Sequence, residues 1–203
     1  MNDLLIVGAG GHGKVVADAA LCSQLWRWVL ATDCNVERCT GELLAGVPLC
    51  TADDAQLAHA KVHVAIGNNT ARQRELLRFG LVRAVSVVHP KASVSAYAVV
   101  GVGCFIASHS VLSASSQLGL GVIVNHGAIV DHDVQIDDFS HIAPNVSLGG
   151  AVRIGKRVLL GSGSVVLPGL SVADDVVVGA GAVVQRSILE PGIYVGVPAR
   201  KIQ

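Results

Sequence analysis

From Val88 to Val184 every sixth residue is aliphatic: the series begins Val88, Val94, Val100, Ile106, Leu112, Leu118 and runs without insertion to Val172, Val178 and Val184. The residue four places after each is also small or aliphatic, as in Ala92, Ala98, Cys104, Ser110, Ser116, Val122 and Ala128. A helix repeats every 3.6 residues and a strand every two, so neither period alone produces a strict six. A hexapeptide repeat is the signature of a parallel β-helix, each hexad forming one side of a coil. Three hexads close a triangular coil, so residues eighteen apart stack vertically. The span holds about 17 hexads, close to six coils, at about 4.8 Å per coil. Its only prolines, Pro90, Pro144 and Pro168, fall at non-core positions. The inward sites are filled, which predicts a solid prism. A short flat-sided prism associates through its sides, and a homotrimer is the natural closed assembly for three of them.

Composition narrows the function classes. Charged residues are 15%, apolar residues 51%, and the formal net charge is +0, so no basic field points to nucleic acid. No apolar run approaches a membrane span and no signal peptide is evident, which predicts a cytoplasmic protein with no membrane partner. The five cysteines lack CxxC spacing and read as free thiols. Two glycosylation sequons, at Asn68 and Asn145, carry no meaning in a cytosolic protein.

Before the repeat lies a different pattern. Leu4-Leu5-Ile6-Val7 reads as a buried strand, Gly8-Ala9-Gly10-Gly11-His12-Gly13-Lys14 as a glycine turn, and Val15 to Ala20 as a helix. Strand, glycine turn and helix N-terminus form the arrangement that cradles a phosphate. Trp28 to Thr32 reads as a second strand ending at Asp33, where an acidic residue commonly takes a ribose hydroxyl. Val62 to Ile66 is a third strand, followed by Gly67-Asn68-Asn69 and a helix over Thr70–Phe79. Only about 84 residues precede the repeat, enough for one mononucleotide half, so a nucleotide fits better than a dinucleotide. His12 has no evident face to pack into, which favours a ligand role. The reading is an α/β half-Rossmann module at 1–84 and a β-helix at 85–203.

The eighteen-residue stack exposes the chemistry. His109, His126, His132 and His141 avoid both inward positions and therefore project from turns or outer faces. His132 lies in Val130-Asp131-His132-Asp133, and a carboxylate beside a ring nitrogen fixes the tautomer and raises basicity, which suits a general base. One coil later comes Gly150, whose N–H is a candidate oxyanion donor. His141 sits on the neighbouring side, at a corner that could face another subunit's His132. Gly161 and Gly179, with Ser162 and Ala180 beside them, line one vertical stripe. That stripe suits a thin pantetheine arm or simply permits the corner turn. Gly196 to Lys201 forms a turn followed by two cations, which could meet phosphates or solvent.

The motifs GAGGHGK, AIGNN, VDHD, FSHIAP, LPGLSVADD and GVPARK, with the unbroken hexads, cover nearly the whole chain. Together they resemble the bacterial nucleotide-sugar N-acetyltransferases of the left-handed β-helix superfamily. Within that superfamily the resemblance is to the UDP-4-amino-sugar and GDP-perosamine N-acetyltransferases of glycan biosynthesis. The resemblance implies a left-handed coil, which periodicity does not decide. It implies nucleotide-sugar contacts at Gly10, Gly11, His12, Thr32, Asp33 and Gly67, and a catalytic base at His132 supported by Asp133. It further implies an oxyanion amide at Gly150 and acetyl-CoA contacts at His141, Ser162 and Ala180. The implied reaction is direct acetyl transfer from acetyl-CoA to the amine of a nucleotide-linked 4-amino-4,6-dideoxy sugar, with no metal. The rivals are a sugar or sialic acid O-acetyltransferase, a γ-carbonic-anhydrase-like hydratase using His126, His132 and His141, a nicotinamide oxidoreductase, and a non-catalytic scaffold.

Overall fold

The computed structural model describes residues 2–51 and 59–202. The N-terminal module is a three-stranded parallel sheet in which β1 (Asn2–Val7) lies between β2 (Trp26–Thr32) and a later strand, Lys61–Val64. Helix α1 (Gly11–Ser23) follows β1, and α2 (Asn69–Phe79) follows Lys61–Val64. A small hairpin, Glu42–Leu44 with Val47–Pro48, closes one edge. β1 is the central strand, and Leu4, Leu5 and Ile6 are essentially inaccessible, as befits a parallel strand covered on both sides. Both helices begin earlier than their apolar periodicity suggested. α1 already starts at Gly11, since a helix end is set by capping and backbone freedom rather than by the apolar stripe. No helix among the described residues is long and apolar enough to cross a membrane.

The remainder is a parallel β-solenoid with three faces. Face I stacks Val87–Val88, Phe105–Ile106, Ile123–Val124, His141–Ile142, Leu159–Leu160 and Val176–Val178, and is extended by Gly192–Val195 and Arg200–Lys201. Face II runs from Ser93–Val94 through Ile129–Val130 and Ser147–Leu148 to Val183–Val184. Face III runs from Val99–Val100 through Gln135–Ile136 to Ser171–Val172. Between Val87 and Val184 every pairing is eighteen residues apart, for example Ile129 with Ser147 and Val130 with Leu148; Val176–Val178 pairs with Gly192–Tyr194 at a spacing of sixteen. The second residue of each pair points inward, and Ile106, Val124, Val130, Ile142, Leu160 and Val166 are all fully buried. The four-later positions, from Cys104 to Val158, are buried in the same core. The filling is incomplete at the open first coil, where Val88 and Val94 remain 39% and 38% exposed because no coil lies below them.

One periodic device was not read from the sequence. Every sixth residue from Gly103 to Gly181 takes a left-handed conformation, with φ between 55° and 75°, whatever its type. Glycines supply some of these positions, but His109, Asp133, Phe139, Asn145 and Arg157 supply others. A non-glycine residue pays about 1 kcal/mol or more there, and the inter-coil ladder compensates. From Gly121 onward each such residue donates its N–H one coil back, as Asp133 does to Ala114, Ala151 to His132 and Arg157 to Asp138.

The N-terminal module sits on face I. Phe105, Ile123, Val87 and Ala107 share a cluster with Leu4, Ile6, Val16 and Ala20. The polar stitch is made by α2. Arg72 is 1% exposed, and its guanidinium donates to the carbonyls of Gly121 (2.8 Å), Ile66 (2.9 Å), Gly67 (3.1 Å) and Phe139 (2.6 Å) and to Asn69 Oδ1 (2.8 Å). Asn69 in turn donates to the carbonyls of Arg157 and Val158. Gly121, Phe139 and Arg157 are eighteen apart, so α2 is pinned to three successive coils at one corner. Arg72 has only carbonyl and amide partners among the described residues, and burial pulls its pKa down to about 10.

Candidate active site

One half of the candidate site forms around the glycine turn. Gly8 and Gly13 are there for packing. Gly8 has φ +117°, and a Cβ on Gly13 would collide with the Gly8 carbonyl oxygen. Gly10 and Gly11 differ: a Cβ on either would enter open space. That space is a cleft of about 410 Å³ lined by Gly10, Gly11, His12, Thr32, Asp33 and Gly67, all six of the residues expected to hold the nucleotide. Gly10 caps α1 with no side-chain hydrogen bond, which leaves the first-turn N–H groups facing the cleft. A helix N-terminus so exposed suits a diphosphate.

Asp33 is set at the end of β2 and clasps the turn. Its Oδ2 accepts from the Ala9 N–H (2.9 Å) and its Oδ1 from the Asn35 N–H (3.0 Å). Partial burial opposes ionisation, but these donors outweigh it and hold the carboxyl below its ordinary range. Thr32 is 1% exposed, with its hydroxyl against Cys39 Sγ, so it shapes the wall. Three arginines also line the cleft and were missed in the sequence: Arg38, Arg74 and Arg78. Arg74 and Arg78 are one helical turn apart on α2 with Glu75 between them, and that spacing was a legible signal.

His12 corrects an expectation. It does have a face to pack against: its ring lies edge-on to Phe105, with centroids 5.3 Å apart, and 6.3 Å from the ring of His141. Burial first, then the neighbouring His63 and His141, push its pKa down to about 3, and its buried Nε2 has no partner among the described residues. His12 therefore lies at the floor of the cleft as a neutral ring. His141 also departs from the expected exposed corner. It points outward from face I, but the N-terminal module covers it. Burial and the Arg72 charge hold its pKa at about 4. One ring nitrogen donates to the Gly67 carbonyl, and Nε2 accepts from Asn125 Nδ2 at 3.2 Å.

The acid–base half lies elsewhere. Asp133 takes φ 60° at the corner between faces II and III. There its Oδ2 accepts from His132 Nδ1 at 2.8 Å. Asp131 Oδ1 accepts the His132 N–H at 2.7 Å. The Asp133 hydrogen bond, reinforced by the Asp131 charge, holds the His132 pKa above its ordinary value. With Nδ1–H committed to Asp133, the neutral ring presents an Nε2 lone pair. A Cβ built on Gly150 would sit 2.5 Å from both Cε1 and Nε2 of that ring, so only glycine leaves the exposed ring where it stands. The Gly150 N–H has no acceptor among the described residues, while Gly149 and Ala151 on either side donate to Val166 and His132.

Ser162 and Ala180 stack at the corner between faces I and II, where the Gly181 N–H donates to the Ser162 carbonyl. The adjacent glycines are explained by packing: a Cβ on Gly161 would lie 2.5 Å from the Ala180 nitrogen, and one on Gly179 would lie 2.8 Å from Val195. The stripe left outside them is exposed and small. Among the described residues the three histidines of a hydratase site do not converge within one chain. His141 has both nitrogens engaged, and His132 lies at a different corner from His126. The one metal-ligand cluster among the described residues joins Asp18 and Cys22 of α1 to His89. There the His89 Nδ1 accepts the Lys91 N–H at 3.0 Å. The neutral ring then carries its proton on Nε2 and offers no lone pair to a cation.

Face and corner together define a two-module protein: a glycine-turn cleft docked on a hexapeptide prism that carries a histidine–carboxylate pair under a free amide. Residues 3–78 match the PglD N-terminal domain, and residues 151–186 match the hexapeptide repeat of succinyl-transferase. The acetyltransferase domain of PglB from Neisseria gonorrhoeae FA1090 superposes with a TM-score of 0.92 at 33% identity, over 100% of both chains. A mutant GDP-perosamine N-acetyltransferase from Caulobacter crescentus, solved with CoA and GDP-perosamine, gives 0.91 at 31% identity, over 100% of this chain and 98% of that one. The GDP-perosamine N-acetyltransferase of Escherichia coli O157:H7 is 31% identical over 110 residues, which are 53% of this chain and 50% of that protein. The chain thus spans about half the length of that curated relative. It belongs to the nucleotide-sugar N-acetyltransferase family of the hexapeptide-repeat superfamily.

Proposed function

We propose that the protein transfers the acetyl group of acetyl-CoA to the amine of a nucleotide-linked 4-amino-4,6-dideoxy sugar, in bacterial surface-glycan biosynthesis, and that it works as a cytoplasmic homotrimer. The carrying observation is the His132–Asp133 pair beneath Gly150, with its Nε2 free and a glycine required above it. The relatives solved with coenzyme A and with GDP-perosamine support the two substrates. The labour divides at residues 84 and 85: the first module holds the nucleotide and the prism holds the thioester.

In the proposed reaction the sugar amine attacks the thioester carbonyl carbon, and His132 Nε2 takes a proton from the attacking nitrogen. The carbonyl oxygen, now an oxyanion, accepts from the Gly150 N–H. Collapse breaks the C–S bond, and the departing thiolate takes the proton from His132. Asp133 stabilises the imidazolium between these steps. The pantetheine arm would run along the exposed Ser162–Ala180 stripe.

A triangular cross-section makes the trimer part of the mechanism. The nucleotide cleft sits on face I, whereas His132 sits at the corner between faces II and III, which is opposite face I. One chain's base cannot reach its own cleft around the prism, so the base and the cleft of one site come from different chains. The corner of one subunit that carries Asn125, Ser162 and Ala180 would then meet the His132 corner of its neighbour. The test is turnover with acetyl-CoA on two acceptors, a nucleotide-linked 4-amino sugar and its 4-hydroxy counterpart. Release of CoA with the amine alone supports N-acetylation. Turnover of the hydroxyl acceptor in its place would assign an O-acetyltransferase.

A further inference from the structure

Beyond Asp33 the nucleotide cleft opens into a second hollow of about 380 Å³, sharing Asp33, Cys34, Glu75 and Arg78 with the first. If the α1 N-terminus holds the diphosphate and Asp33 the ribose, this hollow is where the base goes. Besides Val36 it is lined by Asp33, Cys34, Cys39, Thr51, Glu75 and Arg78. Cys39 is spent on its own loop, accepting from the Asp33 N–H and lying against the carbonyls of Asp33 and Asn35. Glu75 is different. It is only 7% exposed, yet it lines both hollows. Arg74 Nε donates to its Oε1 at 3.1 Å and Arg78 Nε to its Oε2 at 3.0 Å, so each carboxylate oxygen is held by one arginine and keeps a free lone pair. The Arg78 guanidinium itself lies over the Phe79 ring, 4.8 Å from the centroid.

A fixed, buried carboxylate accepts hydrogen bonds and cannot donate them. The base that complements it presents two adjacent donors, as guanine does with N1–H and N2–H₂. Uracil and thymine present a single N–H flanked by two carbonyl oxygens, and those oxygens would face the carboxylate. We infer that Glu75 selects guanine, so that the substrate is a GDP-linked amino sugar. This rests on the nucleotide-sugar reading above, and it names the base within that site. The outer N–H groups of Arg78 are available to the guanine O6.

Calorimetry on the full chain with free GDP, inosine diphosphate, UDP and dTDP tests the assignment. Inosine diphosphate lacks only the N2 amine. Wild-type protein should bind GDP tightest, about tenfold over inosine diphosphate and more over UDP and dTDP, the scale of one lost contact in a bidentate base pair. In Glu75→Gln the gap between GDP and inosine diphosphate should close. Because that comparison is made within one variant, it is insensitive to any general loosening when Arg74 and Arg78 lose their partner. Arg78→Met, which leaves the carboxylate in place, should keep the gap. Tighter binding of UDP or dTDP, or an unchanged gap in Glu75→Gln, would overturn the role of Glu75 while leaving a nucleotide-sugar enzyme. Failure of all four nucleotides to bind would remove both readings.

Discussion

Replacing Arg72 by methionine tests whether the two modules are locked together by one buried cation. The substitution keeps an apolar stem and removes every donor. The carbonyls of Ile66, Gly121 and Phe139 then lose the guanidinium that satisfies them, and Gly67 loses one of its two donors. A buried carbonyl without a donor costs about 1 kcal/mol at the low end, so the three amount to about 3 kcal/mol. Relief from burying an ion that has no carboxylate partner offsets part of the larger charged-bond energies, which is why the low end applies. For a chain of this size each kcal/mol moves Tm by about 3 °C, so the variant should melt about 10 °C lower at matched protein concentration. Lysine at this position has three donors for five acceptors and should fall between the two. Nuclear magnetic resonance of the His141 ring supplies a second readout. Its pKa should rise from about 4 when the Arg72 charge is removed, yet stay below the ordinary histidine value because burial is the larger cause. A melting point within about 2 °C of wild type, together with an unmoved His141, would refute the reasoning.

Two further predictions concern the corner. Gly150→Ala places a methyl 2.5 Å from His132 Cε1 and Nε2. The exposed ring should swing aside with little change in melting, while turnover falls about a hundredfold because the base is displaced from its post. Asp133→Asn removes the carboxylate charge and weakens the hydrogen bond that together raise the His132 pKa. A base works only when deprotonated, so the acid limb of the kcat/KM profile should move to lower pH and the plateau should drop with the weaker base. An acid limb that stays in place would assign that limb to another group.

The period of six revealed most of the solenoid because inward positions in a coil are chemically monotonous. It also placed His132 under Gly150, since stacking depends only on the count of eighteen. The left-handed turn positions were not legible: the ladder overrides local preference there, so Phe139 and Arg157 occupy them as readily as glycine. All six expected nucleotide contacts line one cleft because the strand–turn–helix arrangement is a local motif. The burial of His12 and His141 was invisible for the opposite reason. It arises where one module docks on the other, through contacts some 130 residues apart in the chain. Arg72 did leave a trace, since it occupies an inward helical position together with Glu75 and Leu76.

In the proposed trimer the cleft and the base of one site come from different chains. That arrangement is tested by mixing two inactive variants, Gly11→Val, which fills the cleft through a position whose Cβ meets open space, and His132→Ala, which removes the base. Neither variant should turn over alone. Co-assembled in equal amounts at random, they should restore about a quarter of wild-type turnover, because that share of the sites pairs an intact cleft with a neighbour's intact base. Co-assembled trimers that remain inactive would contradict a site shared between subunits.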